Sequence, residues 1–241
     1  MKQQINEFLE KDTQTFSYVI SDPDAKKAAV IDPVMTFRPE NGRIDTASVD
    51  EVLAYLEAHD LKLEWILETH AHADHLSGAQ YLQAATGAKV GIGRGIVKVQ
   101  AHFKDLFMMD LLEPDGSQFD RLFEEGDSIS VGGIEITVIA MPGHTSDSVA
   151  YRTADAVFIG DTLFMPDVGT ARCDFPGGDA ATLFRSISKL LDLPGKTRLF
   201  MCHDYPPAGR GPRFMSTVAE QKAGNIHIGG GRTEQEFVEM R

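Results

Sequence analysis

Thr69-His-Ala-His-Ala-Asp-His75 sets three histidines and one carboxylate within six consecutive residues. It follows Leu61, Leu63, Trp65 and Leu67, whose alternation reads as a strand running straight into the cluster. Packing so many imidazoles beside an acid is costly unless a cation is shared among them, so the stretch reads as a metal-binding loop at a strand end. Working outward, Pro142-Gly-His144 follows a strand over 134–139, Gly160-Asp161 follows one over 156–159, and Cys202-His203 follows one over 197–201. Four strands thus deliver His or Asp to their C-terminal ends, where a rigid sheet usually carries function.

Imidazole and carboxylate donors suit zinc, iron or manganese rather than the thiolate-loving ions. A turn at Ala71 lets His70 and His72 face one ion, Asp74 and His75 face a neighbouring position, and Asp161 can serve one ion or bridge two. A lone strand-end histidine is more often a hydrogen-bonded packing residue, and His59, His102 and His227 read that way. Cys202 reads as a packed thiol. Gly229-Gly-Gly231 lacks the strand and the Lys-Ser/Thr of a phosphate loop.

The chain has 241 residues, 42% of them hydrophobic and 24% charged, enough to fill a large core. Its 36 acids against 23 bases give a net charge of −13, which repels a phosphate backbone, so no nucleic-acid partner is expected. No apolar run approaches the roughly 18–20 residues of a membrane span, so no membrane partner is expected. Residues 1–12 offer no signal-peptide core. Two cysteines suit a reducing compartment, and a cytoplasmic location is expected. Strand and helix patterns alternate throughout, with Gly132-Gly133 marking a hairpin. Ser48 with Glu51 and Thr233 with Glu236 read as capping boxes at helix starts. Leu76–Ala85 and Ile96–Phe107 read as helices, and residues 1–241 as one layered domain.

The motif series His70-Ala-His-Ala-Asp-His75, Pro142-Gly-His144, Gly160-Asp161 and His203 resembles that of the metallo-β-lactamase superfamily over nearly the whole chain. The resemblance implies an α/β (α+β) fold, the four-layer αβ/βα sandwich of two mixed sheets flanked by helices, with a metal site at one edge. Within the superfamily, Ala171-Arg-Cys-Asp-Phe-Pro-Gly-Gly178 and Cys202-His-Asp-Tyr205 resemble segments of the persulfide dioxygenases (sulfur dioxygenases, the ethylmalonic encephalopathy protein family). Glyoxalase II enzymes usually differ at both segments and append a helical glutathione-binding domain, for which the stretch after Tyr205 is too short.

The resemblance implies one Fe(II) per chain held by His72, His144 and Asp161, with glutathione persulfide and O2 as substrates. His70, Asp74, His75 and His203 would orient those ligands or, in the hydrolase branch, complete a two-zinc site with Asp74 as orienting base. Arg172, Asp174 and Cys173 form the expected substrate-binding segment. The planar fork of Arg172 suits a substrate carboxylate, and the alternative is a structural Arg172–Asp174 contact. The family often carries Cys where this chain has Thr170, which leaves the part of Cys173 in thiol handling open. Tyr205 is expected to hydrogen-bond bound oxygen or substrate, or else to be structural. A two-zinc glutathione thioesterase and a non-catalytic metal-binding sulfur sensor are the alternatives, and a homodimer is an open option.

Overall fold

Strands buried along their whole length need cover on both faces, and β2 (Thr15–Asp22) is buried at every residue. The computed structural model describes residues 3–38 and 40–241. Around β2 the first half of the chain forms β1 (Gln4–Glu10), β3 (Lys27–Ile31), a small hairpin of β4 (Thr36–Arg38) and β5 (Arg43–Asp45), α1 (Ala47–Ala58), β6 (Lys62–Leu67), α2 (Ala79–Thr86), β7 (Lys89–Gly93), α3 (Ile96–Phe107) and β8 (Arg121–Phe123). The second half forms β9 (Ser128–Val131), β10 (Ile134–Ala140), β11 (Val149–Thr153), β12 (Ala156–Phe158), α4 (Ala180–Leu191), β13 (Arg198–Phe200), β14 (Met215–Thr217), α5 (Val218–Gly224) and α6 (Glu234–Met240).

Each half makes a mixed six-stranded sheet, in the orders β1-β2-β3-β6-β7-β8 and β14-β13-β12-β11-β10-β9. In the first, β3, β6, β7 and β8 run parallel. In the second, β12 and β13 are the parallel pair. Aromatic and β-branched side chains from both sheets, among them Tyr18, Phe123, Tyr151, Phe158 and Phe200, form the core between them. The outer face of the first sheet packs on α1 and α2 through Val30, Val52, Ile66 and Leu82. That of the second packs on α4–α6 through Val157, Leu183, Ile187, Leu199 and Phe237. The layers therefore run helix, sheet, sheet, helix, as expected. Among the described residues no helix is long and apolar enough to cross a membrane.

Tyr18 ties the two sheets together: its buried hydroxyl donates to the carbonyl of Met201, with the Phe214 carbonyl at 3.1 Å. A Tyr18→Phe variant leaves the Met201 carbonyl buried and unpaired, at an expected cost of about 1–2 kcal/mol. Urea unfolding should show this as a lower midpoint at unchanged slope.

Two local expectations need correcting. The Ser48–Glu51 box does not form, because α1 starts earlier with Thr46 as its N-cap and the Ser48 hydroxyl is taken by Thr36 at 2.7 Å. The helix expected from Leu76 begins only at Ala79, since Met35 donates to the Leu76 carbonyl at 2.8 Å and Gly78 to that of Pro33 at 2.7 Å. The edge strand β1 and the short β8 and β14 carried no readable alternation, and their pairing comes from neighbouring strands. The Thr233–Glu236 box forms in both directions.

Candidate metal centre

The parallel strands β3 and β6 end side by side, and the residues just beyond them shape the histidine loop. Asp32, after β3, accepts from the backbone of Thr69 at 2.7 Å and from its hydroxyl at 2.9 Å. Asp147, before β11, accepts from the backbone of Ala71 at 2.8 Å. These two carboxylates strap the loop across the gap between the sheets. His144 follows β10 through Gly143, whose φ is +138° and which lies against the first turn of α4. The Nδ1 of His144 lies 2.7 Å from the carbonyl of Arg172, which assigns the proton to Nδ1 and leaves Nε2 facing Asp161, 3.8 Å from Oδ2. Asp161 follows β12 and His203 follows β13.

His70, His144 and Asp161, all buried, bring their donor atoms within 4.8 Å of one another. His72, expected beside His144 and Asp161, is not in that group; its donor atoms group instead with Asp74 and His75 and with Asp32 and Glu68. Its Nε2 instead lies 3.3 Å from Asp32 and 3.4 Å from Glu68, and the ring is turned toward these two buried carboxylates. The reason is electrostatic: two acids at adjacent strand ends lack a cation unless His72 supplies one. Burial alone would lower the His72 pKa, but Asp32 and Glu68 outweigh it and hold the ring well above the usual imidazole range. His70 goes the other way, pushed well down by burial and by the surrounding imidazoles, and so keeps a free lone pair.

Beside the trio, Asp74 links two further histidines, lying 3.3 Å from His75 and 3.0 Å from His203. Burial raises the Asp74 carboxyl, but its two histidine partners dominate and hold it far below the usual carboxylate range. Burial takes His75 down to about 4. Asp161 stands between the two sets, with its Oδ1 3.7 Å from Nε2 of His203. Oδ1 of Asp161 and Nε2 of His75 are buried without a hydrogen-bond partner. Orphaned polar atoms of this kind cost about 1–3 kcal/mol each, and a cation bound at either would remove its cost. The donor set of imidazole and carboxylate fits an iron or zinc ion.

While His70 lines a neighbouring cavity with His72 and His75, His144 and Asp161 line one of about 510 Å³. Val99 and Phe103 of α3, together with Phe164 and Phe175, give it apolar walls, and Arg172 and Tyr205 sit among its lining. Arg172 is held by Asp174 in a two-pronged contact of 2.6 and 2.8 Å, its guanidinium 4.7 Å from the Phe175 ring centre. The structural alternative for this pair is therefore the arrangement seen. Both side chains are exposed, and exposed pairs are weak enough to exchange partners. Cys173 is not among the cavity-lining residues and packs toward the helix-side core instead. Tyr205 stacks on His203, ring centres 5.6 Å apart, and its hydroxyl is pushed well up by burial, so it keeps its proton. His59 caps the end of α1, His102 is exposed, and His227 accepts from the Thr170 backbone at 2.9 Å.

Asp32, Glu68 and Asp147 carry structural weight at this site that the motif reading passed over. One signal was available: Asp32 and Glu68 are acids directly after apolar strands, as Asp161 is.

A two-sheet sandwich holding a histidine–aspartate cluster at the strand ends is the arrangement of a metal-dependent enzyme. The profile of the metallo-beta-lactamase superfamily matches residues 11–203, and the chain belongs to that superfamily. It is 46% identical over 243 residues to the "Glyoxylase B2" of Dictyostelium discoideum, covering 100% of this chain and 83% of that protein. It is also 46% identical to a "probable metallo-hydrolase" of Burkholderia pseudomallei, covering 97% and 83%. To the mitochondrial "persulfide dioxygenase ETHE1" of Homo sapiens it is 29% identical over 93% of this chain and 75% of that one. Among solved structures, ETHE1 from Myxococcus xanthus superposes with a TM-score of 0.79 at 29% identity, covering 98% of this chain and 89% of that one.

Proposed function

We propose that this chain is an iron-dependent persulfide dioxygenase that oxidises glutathione persulfide with O2, using one Fe(II) per chain. The observation that carries the reading is the grouping of His70, His144 and Asp161, without His72, as a two-histidine, one-carboxylate set. Two histidines and one carboxylate, of which His144 and Asp161 line the cavity, are the donor set that would hold a non-haem Fe(II) of the oxygenase kind. His70 takes the place first expected for His72. The likeness to the ETHE1 proteins supports the same reading.

The overall reaction balances as persulfide plus O2 plus water giving thiol, sulfite and two protons. A bound ferrous ion would supply the redox chemistry that carries both atoms of O2 to the terminal sulfur. The chain's own residues do the rest. The apolar walls formed by Val99, Phe103 and Phe175 limit water over the reacting sulfur. The protonated hydroxyl of Tyr205 is a hydrogen-bond donor at the rim. Arg172 can leave Asp174 for a substrate carboxylate, so an Arg172→Ala variant should raise KM more than it lowers kcat.

A second reading, a two-zinc hydrolase of glutathione thioesters, draws on the place of Asp161 between the two histidine sets and on the hydrolase names of the 46%-identical relatives. Anaerobic reconstitution with Fe(II), followed by glutathione persulfide and air, separates the two. The expected result is one iron per chain and one O2 consumed per sulfite formed. Two zincs per chain with thioester turnover and no O2 uptake would overturn the dioxygenase.

A further inference from the structure

His72 lies close to both candidate ion positions: its ring centre is 4.1 Å from that of His70 and 4.1 Å from that of His75. It shares a group with Asp74 and His75 but not with His70, His144 and Asp161, and the orientation of the ring keeps it out of that trio. Its Nε2 hydrogen-bonds Asp32 at 3.3 Å and lies 3.4 Å from Glu68, while its Nδ1 is buried without a hydrogen-bond partner. The two carboxylates cannot follow the ring if it turns. Asp32 is pinned by two bonds from Thr69, and Glu68 accepts from the Ser77 hydroxyl. All three side chains are less than 5% exposed, so water does not compete for the contact.

We propose that Asp32 and Glu68 are positioning residues that hold His72 off the ion, and that this hold selects one iron over zinc. The inference rests on the dioxygenase reading of the centre. A fourth protein donor would complete a closed tetrahedral N/O set, the geometry zinc favours in filled sites. Three donors with open positions suit Fe(II), so a fourth imidazole on the ion shifts the balance toward zinc. The acids thus act through His72 without touching substrate.

The test reads metal content rather than turnover. The wild type, Glu68→Gln, His72→Gln and the double variant are purified from medium supplied with equal iron and zinc, and bound metals are measured by mass spectrometry. Replacing residues that support metal ligands typically changes affinity about 10- to 100-fold, and the zinc-to-iron ratio in Glu68→Gln should rise by a factor in that range. The double variant should return to the wild-type ratio, because the released imidazole is gone, and His72→Gln alone should stay there. An unchanged ratio in Glu68→Gln, or a rise that persists in the double variant, overturns the proposal. Asp32→Asn keeps an acceptor for the Thr69 backbone and serves as the second variant if Glu68→Gln does not fold. O2 uptake by the wild type on persulfide is measured in parallel. Its absence with shifted metal ratios would sink the dioxygenase reading alone, whereas its presence with unshifted ratios would sink this inference alone.

Discussion

A His70→Ala variant is expected to lose iron affinity by more than about 100-fold, beyond the 10- to 100-fold typical of residues that merely orient ligands. His72→Ala is expected to keep its iron within about ten-fold and to pay in stability instead. The difference follows from what each ring touches. His70 is buried with its donor atom in the group formed with His144 and Asp161, and its nearest other partner is the Thr69 hydroxyl at 3.0 Å. His72 faces two buried carboxylates, and removing the cationic partner of a buried pair costs about 3–5 kcal/mol. Urea unfolding of the metal-stripped proteins should therefore place His72→Ala well below the wild type and His70→Ala nearer to it. Metal analysis of the reconstituted proteins should give the opposite ranking. If His72→Ala lost its iron while His70→Ala retained it, the trio would have to be redrawn around His72.

Gly143→Ala is expected to lose about 3–5 kcal/mol, combining a strained backbone with overpacking. At φ +138° an L residue is disfavoured, and a Cβ here collides with the backbone of Leu183 in the first turn of α4. The contact cannot relax cheaply, because Leu183 is wholly buried in the helix-side core and Asp179 caps the same helix through the Thr182 backbone at 2.7 Å. His144 comes next in the chain, so displacing this turn also breaks its 2.7 Å bond to Arg172 and turns its Nε2 away from Asp161. Thermal unfolding and iron content should fall together in this variant. A stable Gly143→Ala protein with a full complement of iron would mean that the turn does not set the ligand.

Much of the sandwich was legible along the chain because its strands are short, alternating and ended by turn residues. The boundaries of α3 match the expected Ile96–Phe107, and Gly132-Gly133 does join β9 to β10. The missed pieces have one cause. β1 mixes charged and apolar residues at a sheet edge, and β8 and β14 are three residues each, so their strand character comes from the neighbours they pair with. Ser48 fails as a cap for a related reason, since Thr36, twelve residues earlier, claims its hydroxyl.

The linear order of residues determined the donor types, their delivery by four strand ends, and the layered class of fold, because strand period and turn chemistry are local properties. Which imidazole groups with His144 and Asp161 was decided only in three dimensions. Asp32 lies 40 residues from His72 along the chain, and β3 pairs in parallel with β6. That pairing sets Asp32 beside Glu68, and the ring of His72 faces these two buried carboxyl groups. Neither the spacing within Thr69–His75 nor its composition encodes that arrangement, because it exists only once the two strand ends lie side by side and away from water.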